Sequence, residues 1–250
     1  MEIKKYLAEL LGTFFLVATV IGSGIMGENL SAGNPAIALL GNTIATGAIL
    51  YVIIKSFEDV SGAHFNPIVS IVFYFLDEIN LKDLVSYLII QFIAGILAVF
   101  FVHFIFELSL FQISSNSRIG IAKLVSEIIA SYGLILTILM VRESNKSNVA
   151  IAVALFITAG YWFTSSTSFA NPAVTLARTF TDTFTGISPD SIVYFFTGQL
   201  IGLFLALFTY KLLKWAILKK YYFCVQVIHV DHKWQKVLLI NLLVFKLENK

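Results

Sequence analysis

The sequence predicts an all-α membrane protein with six transmembrane helices and two half-helices, arranged as an inverted three-plus-three repeat. Three observations predict this fold class: the composition, two Asn-Pro helix starts and an internal repeat. Of the 250 residues, 58% are apolar and 13% are charged, whereas soluble proteins carry roughly a quarter charged residues. The chain is therefore expected to cross a membrane several times.

Six stretches are apolar enough to span a bilayer, which takes about 20 mainly apolar residues. They lie at about 6–26, 36–56, 83–105, 121–141, 147–165 and 190–214. With the N-terminus in the cytoplasm, ten Lys or Arg residues fall inside and two, Arg118 and Lys123, fall outside. Because basic loops favour the inner side, we expect an integral, multi-pass protein of the plasma (cytoplasmic) membrane with both termini in the cytoplasm.

The remaining composition argues against several other classes of protein. A net charge of +2 gives no indication of a nucleic-acid partner, and the single cysteine, Cys224, excludes an intramolecular disulfide. No metal site and no cofactor are expected. The sequence also shows no group of nucleophile, base and metal ligands at membrane depth, so an enzyme is not expected. The transmembrane domain is expected over 1–215, and residues 216–250 are expected to form a cytoplasmic tail, either frayed or lying on the membrane surface.

Two Asn-Pro pairs, Asn66-Pro67 and Asn171-Pro172, read as helix starts. Proline suits the first helical position, and asparagine is a favoured N-cap. The segments around them, 61–76 and 166–180, are too short to cross the bilayer and too apolar for a solvated loop. Each is therefore expected to be a re-entrant loop followed by a half-helix. A third pair, Asn34-Pro35, has no counterpart in the second half and is interpreted as a helix start alone.

The two halves of the chain, about 5–110 and 121–214, resemble one another in sequence. Four landmarks recur in the same order at offsets of 105 to 118 residues. The matched residues are Glu9 and Glu127, Asn66 and Asn171, Asp77 and Asp182, and Gln91 and Gln199. Each half has three spans, and an odd number requires the second copy to be inverted in the bilayer. The two half-helices should then enter from opposite faces, so that the two asparagines meet near the midplane.

The paired half-helices, the Gly-Ala-His-Phe-Asn-Pro motif at 62–67, the inverted repeat and the paired glutamates together resemble the aquaporin and glycerol-channel (major intrinsic protein) family. The resemblance covers about residues 5–214. It implies a passive channel for small uncharged solutes, surrounded by membrane lipids, and a homotetramer with one pore per subunit. In such a channel, half-helix dipoles meeting at the midplane would exclude ions and protons.

The resemblance also implies roles for individual residues. At the pore midplane, Asn66 and Asn171 would donate hydrogen bonds to solute oxygens, and each would also cap its own half-helix. His64 would face the lumen, with a buried histidine bonded to a carbonyl as the alternative. Glu9 and Glu127 would support the re-entrant loops structurally.

The selectivity filter can be located by counting from the two asparagines as in water channels of this family. The count gives Thr46, Ala159, Ser168 and Val174. In the fifth predicted span, Tyr161 or Trp162 could project inward in place of Ala159. The family's filter arginine is absent, because Val174 stands at its position. The sequence therefore resembles bacterial members that lack this arginine.

The nearest arginine, Arg178, lies one helical turn beyond Val174. It is expected at the rim of the pore, in an i,i+4 salt bridge with Asp182, with solute binding as the alternative role.

A filter of this composition should be wide and weakly polar. It should pass water and solutes of the size of glycerol, urea or a metalloid acid such as arsenous acid. The main alternative is an ion-coupled secondary transporter, which also uses inverted repeats. A transporter needs an ionisable coupling residue at the substrate site, and only Glu9 and Glu127 are available for that role.

Overall fold

The computed structural model describes residues 2–227, with side chains over 3–215. Within this range the chain is helical and contains no strand. Its α-helices are α1 (Glu2–Leu30), α2 (Pro35–Ser61), α3 (Pro67–Phe75), α4 (Leu81–Ile105), α5 (Ile121–Ser144), α6 (Val149–Phe163), α7 (Pro172–Ala177) and α8 (Ile192–Val227).

Six of these helices, α1, α2, α4, α5, α6 and α8, are long and apolar enough to cross a membrane. They coincide with the six stretches expected from the sequence, so the predicted fold class is confirmed. The last helix differs in length, because α8 continues to Val227, past the predicted end at 214. The predicted surface helix of the tail falls in 228–250, outside the described residues.

The chain divides into two units after Leu207, and the contacts reported below lie within the first. There, α1 packs against α2 and α4, and α6 packs against α2 and α5. The half-helices α3 and α7 contact each other, and both contact α4. The two short helices therefore pack on each other and on the same long helix.

Both half-helices begin at the predicted residue. Asn66 Oδ1 accepts a hydrogen bond from the amide of Ile68 at 3.1 Å, and α3 then runs for nine residues from Pro67. Asn171 Oδ1 accepts from the amide of Ala173 at 2.9 Å, and α7 runs for six residues from Pro172. A 3-10 turn, Arg178–Phe180, extends α7.

The third pair, Asn34-Pro35, also begins a helix. Asn34 caps α2 with a 3.0 Å bond from the amide of Ala36, and α2 is a full-length spanning helix. This pair is a helix start alone, as predicted.

The crossing of α8 over α5 depends on two glycines spaced four residues apart. A Cβ atom on Gly198 would lie 2.6 Å from the carbonyl oxygen of Leu124. A Cβ atom on Gly202 would lie 2.5 Å from the carbonyl oxygen of Ile128 and 2.8 Å from the amide nitrogen of Tyr132. Small residues at this spacing let two membrane helices approach backbone to backbone.

Because Gly202 faces fixed backbone, we expect Gly202→Ala to force the two helices apart. Overpacking of this kind costs about 1–3 kcal/mol, so the melting temperature of the purified protein should fall by about 5 °C. Gly41→Ala is the matched control, since a Cβ atom on Gly41 would meet nothing within 4 Å. Equal melting temperatures for the two variants would contradict the expected clash.

Candidate functional site

The N-termini of the two half-helices meet, and each is bonded to the other repeat. Asn66 Nδ2 donates to the carbonyl oxygen of Ala170 at 2.7 Å, and Asn171 Nδ2 donates to the carbonyl oxygen of Phe65 at 2.9 Å. The sequence predicted that the two asparagines would meet, and this part of the prediction is correct. An amide group carries two N–H bonds, so each asparagine has a second donor besides the one used here.

A buried carboxylate holds the loop before α3. Glu9 is fully buried in α1, and its two oxygens accept four hydrogen bonds. Oε1 accepts from the hydroxyl of Ser61 at 2.7 Å and the amide of His64 at 2.9 Å. Oε2 accepts from the amide of Phe65 at 2.7 Å and Gln91 Nε2 at 2.8 Å. The carboxylate thus satisfies two backbone donors that no secondary structure would satisfy.

Glu127 in α5 has the same arrangement in the second repeat. It is fully buried and accepts from the amides of Phe169 and Ala170 at 3.0 and 2.9 Å. Gln199 Nε2 donates to it at 2.7 Å. The two glutamates therefore bind equivalent positions of the two loops, directly before each asparagine.

A hydroxyl in each half-helix completes this network. Gln91 also donates to Ser70 Oγ at 3.1 Å, and Gln199 also donates to Thr175 Oγ1 at 2.9 Å. Ser70 and Thr175 each stand four residues after their asparagine. This match is visible in the sequence, but the sequence pattern alone did not indicate a role for the two hydroxyls. Each glutamine thus links a long helix to both the loop glutamate and the half-helix.

The loops before the half-helices adopt an unusual backbone in the same register. Ala63 and Phe65 have φ of 52° and 49°, and their equivalents Ser168 and Ala170 have φ of 50° and 45°. A residue with a Cβ in the left-handed region costs about 1–3 kcal/mol and persists only where its surroundings hold it. The glutamate carboxylates stabilise this backbone, because they accept hydrogen bonds from amides within these loops.

The ring of His64 lies in a buried aromatic stack. It packs against Phe73 with the ring centroids 4.7 Å apart and the planes 17° from parallel. Its Nδ1 is 3.1 Å from the hydroxyl of Ser70. The sequence allowed a buried histidine bonded to a carbonyl as the alternative to a lumen-facing one. In the structure the ring nitrogen is bonded to a hydroxyl of α3 instead.

The structure places Tyr161, not Ala159, opposite Thr46. The Tyr161 hydroxyl is 3.1 Å from Thr46 Oγ1, and both residues are buried. Thr46 uses its own hydroxyl hydrogen in a 2.8 Å bond to the carbonyl oxygen of Asn42, so Tyr161 is the donor. Ala159 and Trp162 are exposed on other faces of α6. The structure therefore places Ala159 away from Thr46, and Tyr161, the alternative, lies opposite Thr46.

The other two predicted filter residues are buried beside α7. Val174 lies in the first turn of α7, with 5% of its surface exposed. Ser168 packs closely against Gly160 of α6. Its hydroxyl is buried and has no hydrogen-bond partner among the described residues.

Arg178 does not form the predicted salt bridge with Asp182. Its Nε donates to the carbonyl oxygen of Thr185, and its guanidinium carbon lies 3.6 Å from the centre of the Phe169 ring. Asp182 instead accepts from the amide and hydroxyl of Ser115, at 2.8 and 3.1 Å. These two bonds hold the pKa of the Asp182 carboxyl below its usual range. Arg178 is buried, with 4% of its surface exposed.

Several relatives of known sequence match over most of the chain. The aquaglyceroporin AqpS of Rhizobium meliloti is 45% identical over 214 residues, which is 86% of this chain and 90% of that protein. The aquaporin NIP2-1 of Oryza sativa is 27% identical over 220 residues, covering 85% of this chain and 71% of that protein.

The fold also matches a solved structure, that of the aquaglyceroporin from Plasmodium falciparum. The TM-score is 0.59 at 21% sequence identity, and the match covers 84% of this chain and 94% of the other. At this identity the likeness supports the fold. The family model for the major intrinsic protein matches residues 1–149. On the strength of this match and of the 45% identical relative, the chain belongs to the major intrinsic protein family.

Proposed function

We propose that this protein is a passive transmembrane channel for small uncharged solutes. Membership of the major intrinsic protein family supports a channel rather than an enzyme, and the relative AqpS is an aquaglyceroporin. The observation that carries the proposal is the meeting of the two half-helices. Asn66 and Asn171 each cap one half-helix and bond to the loop of the other.

This arrangement supports the exclusion of ions. A helix N-terminus carries about half a positive charge, and two of them face one another at the bonded asparagines. A cation that lost its water there would meet positive potential in a medium of low dielectric, at a high cost in free energy. An uncharged solute would not incur this cost, and its oxygen could accept the second N–H of Asn66 or Asn171. Cations and protons should therefore be excluded while neutral solutes pass.

The proposed constriction consists of Thr46, Tyr161, Ser168 and Val174. Tyr161 brings a hydroxyl and an aromatic ring to a position where the sequence predicted alanine, which narrows the constriction. Val174 adds neither charge nor a hydrogen-bond donor from its side chain. We propose that water and glycerol pass, and that urea and neutral metalloid acids such as arsenous acid are further candidates.

We also propose the setting in which this channel works. Six apolar helices and the family show an integral, multi-pass membrane protein. The distribution of basic residues favours the plasma membrane with cytoplasmic termini, and family resemblance favours a homotetramer in lipid.

The test is solute uptake into liposomes that contain the purified full-length protein. Shrinkage and reswelling after an osmotic step in glycerol should be several times faster than in empty liposomes. The rate should be the same with and without a sodium or proton gradient. Liposomes with the protein should also remain as tight to sodium and protons as empty ones.

Uptake that requires an ion gradient would contradict the proposal and favour the ion-coupled transporter. A sodium or proton leak that appears with the protein would contradict the proposed exclusion at the half-helices.

A further inference from the structure

We propose that Arg178 is a binding site for the oxygens of the permeating solute, one helical turn beyond the proposed constriction. The inference rests on the proposed channel function and names a determinant of its selectivity. The class of solute it favours carries two neighbouring oxygens, as a vicinal diol or an oxyacid does.

The position of Arg178 follows from the half-helix. It stands four residues after Val174, and residues four apart lie on the same face of a helix, about one turn or roughly 5.4 Å apart. A passage that is lined by Val174 is therefore lined by Arg178 at its next level, towards the mouth formed by the segment after α7.

The guanidinium group of Arg178 is held in place from two sides. Nε donates to the carbonyl oxygen of Thr185, and the guanidinium carbon lies over the ring of Phe169, 3.6 Å from its centre. Phe169 is fixed in turn by Phe195 and Ile187, with which it forms a buried apolar cluster. The position of the guanidinium is therefore set before any solute arrives.

The two terminal nitrogens of Arg178 remain available for a ligand. Neither makes a hydrogen bond to any described residue, and neither is among the fully enclosed polar atoms. Within 3–215, no carboxylate pairs with Arg178, because Asp182 binds Ser115 and Glu127 binds its own loop. A buried guanidinium without a counter-ion and with unused donors needs acceptors from outside the protein.

The charge at this mouth also favours oxygen acceptors. Arg118 lies over the same Phe169 ring, at 5.4 Å. Its donors go to the carbonyl oxygen of Ser165 and the hydroxyl of Thr167, which are neutral groups. Two guanidinium groups beside one ring, with no acid paired to either in the described chain, raise the local positive potential.

The arrangement of the guanidinium donors determines which solute binds best. The planar fork of a guanidinium binds two oxygens side by side. Glycerol offers such a pair, whereas urea offers a single acceptor oxygen and four N–H bonds that face the positive charge unfavourably. Arg178 should therefore favour glycerol over urea.

The test compares glycerol and urea permeability in liposomes that contain the wild-type protein, Arg178→Gln or Arg178→Lys. Each rate is normalised to the water permeability of the same liposomes. We expect Arg178→Gln to lower the glycerol-to-urea ratio about fivefold to tenfold, as expected for the loss of a charge-assisted hydrogen bond. Arg178→Lys keeps the charge without the fork and should restore the ratio only in part.

Arg142→Gln is the matched control, since Arg142 pairs with Glu78 and contacts neither Phe169 nor Arg178. Its glycerol-to-urea ratio should stay within about twofold of wild type.

Three outcomes would overturn the inference. An unchanged ratio in Arg178→Gln, with water permeability retained, would show that Arg178 does not contact the solute. An equal loss of all permeabilities and of melting temperature in both Arg178 variants would show a structural role only. A wild-type protein that conducts neither glycerol nor urea would overturn this inference, and one that also conducts no water would overturn the proposed function as well.

Discussion

Replacing Glu127 by alanine is expected to abolish the folded channel. The carboxylate of Glu127 accepts hydrogen bonds from the buried amides of Phe169 and Ala170 and from Gln199. Alanine would leave all three donors without an acceptor, at about 1–3 kcal/mol each. The total, about 3–9 kcal/mol, is comparable with the whole stability of a typical domain, about 5–15 kcal/mol.

The loss would be larger than the hydrogen bonds alone suggest. Thr167, Ser168 and Ala170 all have φ between 45° and 64°, a backbone that persists only where its surroundings hold it. Without the carboxylate, this loop should relax and the start of α7 should move. The measurements are the yield of monodisperse protein in detergent, its melting temperature, and water permeability after reconstitution.

Two further variants sharpen the test of Glu127. Glu28→Ala, at an exposed position of α1, should behave as wild type. Glu127→Gln keeps one acceptor oxygen but places an NH₂ group against backbone donors, so its stability should lie between those of Glu127→Ala and wild type. Wild-type melting temperature and water permeability in Glu127→Ala would show that the loop does not depend on this carboxylate.

Replacing Val174 by arginine is expected to reduce glycerol permeability at least tenfold while water permeability falls less than about twofold to threefold. A long side chain at Val174 would enter the proposed constriction beside Tyr161. It would block a solute the size of glycerol by its bulk, whereas water could pass and bond to the guanidinium. Permeabilities in liposomes, compared at equal protein content, measure the effect.

Val174→Met separates the effect of side-chain length from the effect of the added charge and donors. Methionine adds length without charge or donors, so it should reduce glycerol permeability less than arginine does. If Val174→Arg reduces water and glycerol equally, or neither, the constriction lies elsewhere in the protein.

The fold could be predicted from the sequence because its main features have local causes. The Asn66-Pro67 and Asn171-Pro172 pairs begin helices through their own capping chemistry. The inversion follows from counting three spans in each half. Glu9 and Glu127 were also recognisable as a pair, because a carboxylate in an apolar helix requires partners.

The residue of α6 that lies opposite Thr46 could not be predicted by counting, because counting residues assumes a helix of known phase. Ala159 and Tyr161 are two residues apart, and at about 100° per residue they point to nearly opposite sides of α6. An error of two residues in the count along α6 therefore selects an exposed residue in place of a buried one.

The predicted salt bridge failed for a related reason. An i,i+4 pair requires a continuous helix, but α7 ends at Ala177 and a 3-10 turn ends at Phe180, after which Thr181 is extended. Asp182 thereby lies off the helix face that carries Arg178. Nothing in the sequence pattern marked this early end of α7.

The reciprocal bonds of Asn66 and Asn171 have a consequence for biogenesis. The carbonyl of Phe65 receives its donor from a residue synthesised 106 positions later. While a ribosome is still translating the second repeat, the first α3 segment has no finished partner at its tip. We therefore expect the nascent first half to keep this segment near the aqueous surface of the translocon, and to seat it only when the second half has been inserted.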